Sequence, residues 1–147
     1  MKKLLIALPL LTLVVSCALE SVFSLPKEEE IDHELLGTWY STTEDNSDDW
    51  FKIEAFDNKT YKLVLDEDIT IMFAATIKGH KIMNVVDHTS DKPNMFYSYV
   101  LEGDKLTIME VTDQMNDDDF TSQQELIEFM ETNIDKPDFF INPDVLV

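Results

Sequence analysis

Ile69-Thr70-Ile71-Met72-Phe73-Ala74-Ala75-Thr76-Ile77-Lys78-Gly79-His80-Lys81-Ile82 is the stretch that decides the fold. Ile69, Ile71, Phe73, Ala75 and Ile77 recur at every second position, with Thr70, Met72, Ala74 and Thr76 between them. A period of two puts successive side chains on opposite faces of a strand, so the first set is expected to be buried. The second set is itself moderately apolar, which implies cover on that face too. Gly79-His80 then separates this run from Lys81-Ile82, and a Gly-X pair suits a two-residue hairpin turn, where φ must be positive.

The same pattern extends in both directions. Phe51, Ile53 and Ala55 alternate with Lys52 and Glu54, and Tyr61, Leu63 and Leu65 alternate with Lys62 and Val64, across a reversal at Asp57-Asn58-Lys59. Further strands are expected over 81–86, 96–102 and 105–112, the last two joined by Gly103-Asp104. A first strand at 38–43 and a short last one at 144–147 bring the number to eight. Successive hairpins imply antiparallel pairing of sequence neighbours. Eight strands close a barrel that is either filled by its own side chains or holds one small ligand. One helix interrupts the strands. Ser122-x-x-Glu125 has capping-box spacing, and Leu126, Ile127, Phe129 and Met130 form a helical stripe that Asn133 can end. That stripe is expected to pack on the barrel wall or plug one end. The expected fold class is all-β with one helix: an eight-stranded antiparallel barrel with a late α-helix before a short last strand.

The start of the chain reads as an address. Met1-Lys2-Lys3 precedes an apolar run from Leu4 to Val15, broken only by Pro9 and Thr12. This is the pattern of an export signal, and it is shorter than the ~20 residues a membrane-spanning helix needs. Val14-Val15-Ser16-Cys17 resembles the lipobox of bacterial lipoproteins, and Cys17 is the one cysteine in the chain. The resemblance implies cleavage between Ser16 and Cys17, diacylglycerol on the Cys17 sulfur and an acyl chain on the new amine. Stable anchoring takes about two such signals. The alternative is a plain secretory signal cut near Ala18. Ala18 in place of an aspartate implies the outer membrane where a cell has one, and the cell envelope in either case. The expected organisation is a lipoprotein signal peptide at 1–16, the lipidated cysteine and a flexible acidic tether at 17–34, and the barrel domain at 35–147. The tether contains Pro26 and Lys27-Glu28-Glu29-Glu30, and fully extended it reaches at most ~55–60 Å.

Leu36-Gly37-Thr38-Trp39-Tyr40 resembles the G-x-W signature that opens lipocalin (calycin-type) barrels. The late helix and short terminal strand are similar to those of bacterial lipoproteins with lipocalin-like domains. The resemblance implies that Gly37 and Trp39 mark the barrel base and that a ligand enters at the opposite mouth. Lipocalins commonly stack an arginine on that tryptophan; this chain contains none.

Composition excludes other functions. The chain carries 30 Asp and Glu against 11 basic residues, all of them lysine, for a formal net charge of -19. Nucleic-acid binding needs bases to displace phosphate counterions. Bidentate anion clamps need arginine. Three separated glycines cannot write a phosphate-binding loop. A single cysteine permits no internal disulfide. No nucleophile elbow or H-E-x-x-H is present, so no catalytic residue, enzyme activity or cofactor is expected. His33, His80 and His88 fall in the tether, a turn and a loop. Asp45, Asp48 and Asp49 offer oxygens at calcium-loop spacing, but Trp50 stands where an EF-hand needs glycine and Phe56 where it needs glutamate, leaving them weak candidates.

The sequence thus points to a non-catalytic lipoprotein, anchored to the membrane by lipid and binding a small apolar ligand. Ile71, Met72, Phe73, Met83 and Met109 are the candidate lining. The alternative is a structural or protein-interaction component of the envelope, with weak calcium binding.

Overall fold

Each strand pairs with its sequence neighbour. The computed structural model describes residues 18–42, 49–116 and 118–147. Its strands are β1 (Glu20–Ser21), β2 (Gly37–Tyr40), β3 (Trp50–Ala55), β4 (Tyr61–Leu65), β5 (Asp68–Ile77), β6 (His80–Val86), β7 (Asn94–Glu102), β8 (Lys105–Val111) and β9 (Phe140–Leu146). One helix, α1 (Gln123–Asn133), lies between β8 and β9. The sheet runs β2 to β9 in order, all antiparallel. Its two ends meet: Tyr40 N–H donates to Val147 O at 2.8 Å and Val147 N–H to Tyr40 O at 3.0 Å. The result is an almost closed eight-stranded antiparallel barrel, mostly β and consistent with a calycin-like fold. Such closure leaves few free strand edges.

Turn chemistry sets the register, with one shift from expectation. Ile77 pairs with His80, so the β5–β6 turn is Lys78-Gly79, not Gly79-His80, and both residues have positive φ (48° and 83°). That pair of angles is what a type I′ turn requires. The β7–β8 turn is Gly103-Asp104 as expected, with Gly103 at φ 59°. β9 is longer than the expected 144–147 and contains Pro143. The proline is tolerated because the β8–β9 ladder is irregular there, between Ile108 and Glu110.

The barrel has two apolar cores, one on each face of the sheet. The inner core holds Trp39, Ile53, Tyr61, Met72, Met83, Val85 and their neighbours. The outer core covers β5 to β8 with Ala75, Ile77, Ile82, Phe96 and Val111, under Leu126, Met130 and Ile134 from the helix region. The helix therefore lies on the wall and does not plug an end. Ser122 caps it, accepting from Glu125 N–H at 3.1 Å, and Glu125 reaches back to Thr121 N–H at 3.1 Å. Lys78 and His80 hold its C-terminal side through Asp135, at 3.1 and 3.2 Å. Both faces of β5 are thus covered. The face set by Phe73, Ala75 and Ile77 is the outer one, and Met72 and Ala74 point into the barrel.

The segment expected to be a free tether is instead part of the barrel body. Ala18 bridges to Thr112, and β1 pairs with β7. Leu19 and Leu25 are buried in the outer core. The polar backbone of this strap has buried partners: Leu25 N–H donates to Asn84 Oδ1 at 2.8 Å, and Asn94 Nδ2 donates to the carbonyls of Ser21 and Val22 at 3.2 Å. Asn84 Nδ2 donates in turn to Asn94 Oδ1 at 2.9 Å. Further along, Glu29 accepts from Lys81 Nζ at 2.7 Å. A segment pinned at this many points does not act as a spacer, and the boundary drawn at residue 35 does not separate two structural units.

Candidate functional site, a cavity inside the barrel

A cavity of about 340 Å³ lies among the inward side chains of β3 to β8. Its wall alternates along each strand: Met83, Val85 and Asp87 on β6 and just beyond it, Met95, Tyr97 and Tyr99 on β7, and Leu106 and Ile108 on β8. The volume is at the small end of the ~300–1,000 Å³ usual for small-molecule sites.

One end of the barrel is sealed. A single 3-10 turn, His33–Leu35, lies across it and buries Leu35. Trp39 Nε1–H donates to Leu35 O at 2.9 Å, and Asp32 N–H donates to the Tyr61 hydroxyl at 2.6 Å. Gly37 begins β2 at this end, with φ at 139°. The opposite end is where Leu65, Thr70 and Asp87 rim the cavity. Leu65 is part exposed there, and a second, polar hollow shares Leu65 and Phe51 with the cavity while adding Asp49, Asp66 and Asp144.

Polar groups on the wall are few. Burial pushes the phenols of Tyr97 and Tyr99 up from their ordinary range. Asp87 is the charged side chain among the lining residues. Its Oδ1 accepts from Thr89 Oγ1 at 2.6 Å and from Thr89 N–H at 3.0 Å. These bonds hold its carboxyl below the usual range.

The candidate residues read from sequence separate cleanly. Met72 and Met83 line the cavity. Ile71, Phe73 and Met109 do not: each alternates onto the outer face, where Phe73 pairs with Asn84, Ile71 with Val86 and Met109 with Ser98. Lys27 Nζ lies 5.9 Å from the Phe73 ring centre, outside the barrel. Asp87 escaped sequence reading, although its parity with Met83 and the cavity-lining Val85 is a signal that would have found it.

Ser16, Cys17, Asp45 and Asp48 lie outside the described residues. Asp49 is described, and its carbonyl accepts from Ser41 N–H at 3.0 Å. Among the described residues, no group of three His, Asp or Glu is placed to hold a metal ion. His80 begins β6 and His88 follows its end, so an extended strand separates them. No protein-family model, curated protein or solved structure matches the chain.

Proposed function

We propose that this protein is a non-catalytic, lipid-anchored protein of the bacterial cell envelope whose barrel holds a small apolar ligand. The observation that carries the reading is the apolar cavity, sealed by Leu35 and Trp39 at one end and rimmed by Leu65, Thr70 and Asp87 at the other. Apolar walls give affinity by removing ligand surface from water, and methionines adapt their shape to what enters. The anchor is Cys17, with the outer membrane as its address in a two-membrane cell. Attachment at Cys17 would hold the barrel close to the bilayer, because the adjoining Ala18 is bridged to Thr112.

The test uses the full chain in nanodiscs, with empty discs subtracted, and the neutral fluorophore N-phenyl-1-naphthylamine. Saturable binding is expected, and Met83→Trp combined with Met95→Trp should abolish it by filling the cavity. Absence of saturable binding to the unaltered protein refutes the ligand reading. Palmitate labelling that survives Cys17→Ala refutes the anchor.

One observation favours a second reading, an envelope protein-interaction component. Tyr40 and Trp50 pair on the outer face and are 51% and 41% exposed. Val145 and Val147 continue that apolar strip on β9 and beyond it. Crosslinking in intact cells should trap one defined protein if this face has a partner.

A further inference from the structure

Two observations about charge bear on what the cavity accepts. The first is local. Among the lining residues none is a lysine or histidine, and Asp87 is the one ionisable carboxyl. It stands at the rim, half-buried, on the inward-facing side of the strand, with one oxygen fixed by Thr89. The second concerns the turns around the open end. The turns at the sealed end mix both signs, Lys59 and Lys78 with Asp57 and Asp104. At the open end, the β4–β5 turn is Asp66-Glu67, flanked by Asp68, and the β6–β7 connection carries Asp87, His88 and Asp91. Lys92 in that connection is bonded to Asp119 at 2.5 Å. The open end is thus acidic, in turns where lysine is scarce, whereas the sealed-end turns carry both signs. A mouth lined by one sign of charge concentrates ligands of the opposite sign.

We propose, resting on the cavity reading above, that the ligand is an apolar molecule with a cationic head, of the alkylammonium class, its tail inside the barrel and its charge beside Asp87. A carboxylate-headed ligand of the same tail would place like charges together at the edge of an apolar wall, where attraction and repulsion are both stronger than in bulk water. Phe51, Tyr97 and Tyr99 add ring faces to the same wall, and such faces attract ammonium groups. A site of this kind differs from an apolar pocket indifferent to charge and from a fatty-acid site.

The experiment compares octylamine, octanol and octanoate as competitors of N-phenyl-1-naphthylamine on the full chain in zwitterionic nanodiscs. Octylamine is expected to displace the dye at a concentration roughly tenfold or more below octanoate, with octanol between them. Asp87→Asn should narrow that gap, and so should high salt. Asp87 also orders its own connection through Thr89, so a second variant is needed. Thr70→Lys places a positive charge beside Asp87, one register step beyond the Ile71–Val86 pair, and should offset its carboxylate and move the preference towards octanoate. Dye binding with octanoate as effective as octylamine overturns the cationic ligand and leaves the cavity reading standing. A preference that neither variant moves also overturns it. Failure of the dye to bind the unaltered protein removes both readings.

Discussion

Asn84→Ala tests whether the N-terminal strap is part of the folded barrel. Asn84 is fully buried in β6. Its Oδ1 accepts from Leu25 N–H at 2.8 Å and its Nδ2 donates to Asn94 Oδ1 at 2.9 Å. The alanine variant leaves both of those groups buried and unpaired. Each such group costs about 1–3 kcal/mol, so the loss should be about 2–6 kcal/mol. That is a large part of the ~5–15 kcal/mol typical of a domain. Leu19 and Leu25 still bury apolar surface worth about 1.5–3 kcal/mol each, so the strap should loosen without the barrel opening. Denaturant unfolding followed by tryptophan fluorescence reads the first effect, since Trp39 is buried. Amide exchange at Leu25 reads the second. A loss below about 1 kcal/mol, with the Leu25 amide as protected as before, would refute the reasoning and restore a loosely attached tether.

Other consequences are as direct. Ser122→Ala removes the helix cap and should cost about 1 kcal/mol, seen as a melting-temperature decrease of a few degrees. Leu126→Ala hollows the outer core under the helix and should cost about 2–5 kcal/mol in denaturant unfolding. Lys78 and His80 depress the Asp135 carboxyl, so its contribution is present above the unfolded value near 4 and lost as pH falls through the lower folded value. The melting-temperature gap between the unaltered protein and Asp135→Asn should therefore be open at neutral pH and close in acid. Burial raises Tyr61, Tyr97 and Tyr99 from their ordinary 10.0, so stability should hold below that pH and fall as pH rises above it. An ultraviolet titration should show these phenols ionising together with unfolding.

Local sequence carried the strands, the hairpins and the helix because each is set by neighbours in the chain: alternation, positive-φ turns and the Ser122 cap. It could not carry the face of β5. Both faces of that strand are apolar, and only the register with β6, Met72 against Val85 and Ala74 against Met83, decides which one turns inward. The strap was illegible for a related reason. Ala18 to Glu34 lacks periodicity, and what fixes it are bonds to Asn84 and Asn94, 59 and more residues away. Grouping Ile71, Met72 and Phe73 into one lining ignored the pleat, since adjacent strand residues cannot face one cavity. Asp87 was hidden among 30 acidic residues, where abundance removes the signal that a rare charge would give.

The two cores explain how a small barrel can keep a hollow interior. A void inside a protein costs stability in proportion to its volume, so a cavity of about 340 Å³ needs compensation elsewhere. The outer core is that compensation: Leu19 and Leu25 from the strap, Leu126, Met130 and Ile134 from the helix region, and Phe120 and Phe139 at its flanks all bury against the outside of β5 to β8. Phe129 links those flanks, with ring centres 5.3 Å from Phe120 and 6.0 Å from Phe139. Strap and helix thereby brace the barrel from outside, and the interior is relieved of having to fill itself. Loss of strap contacts should consequently weaken the walls of the cavity as well as the attachment of the N-terminal segment. The strap shares Asn84 with β6, the strand whose opposite face presents Met83 and Val85 to the cavity.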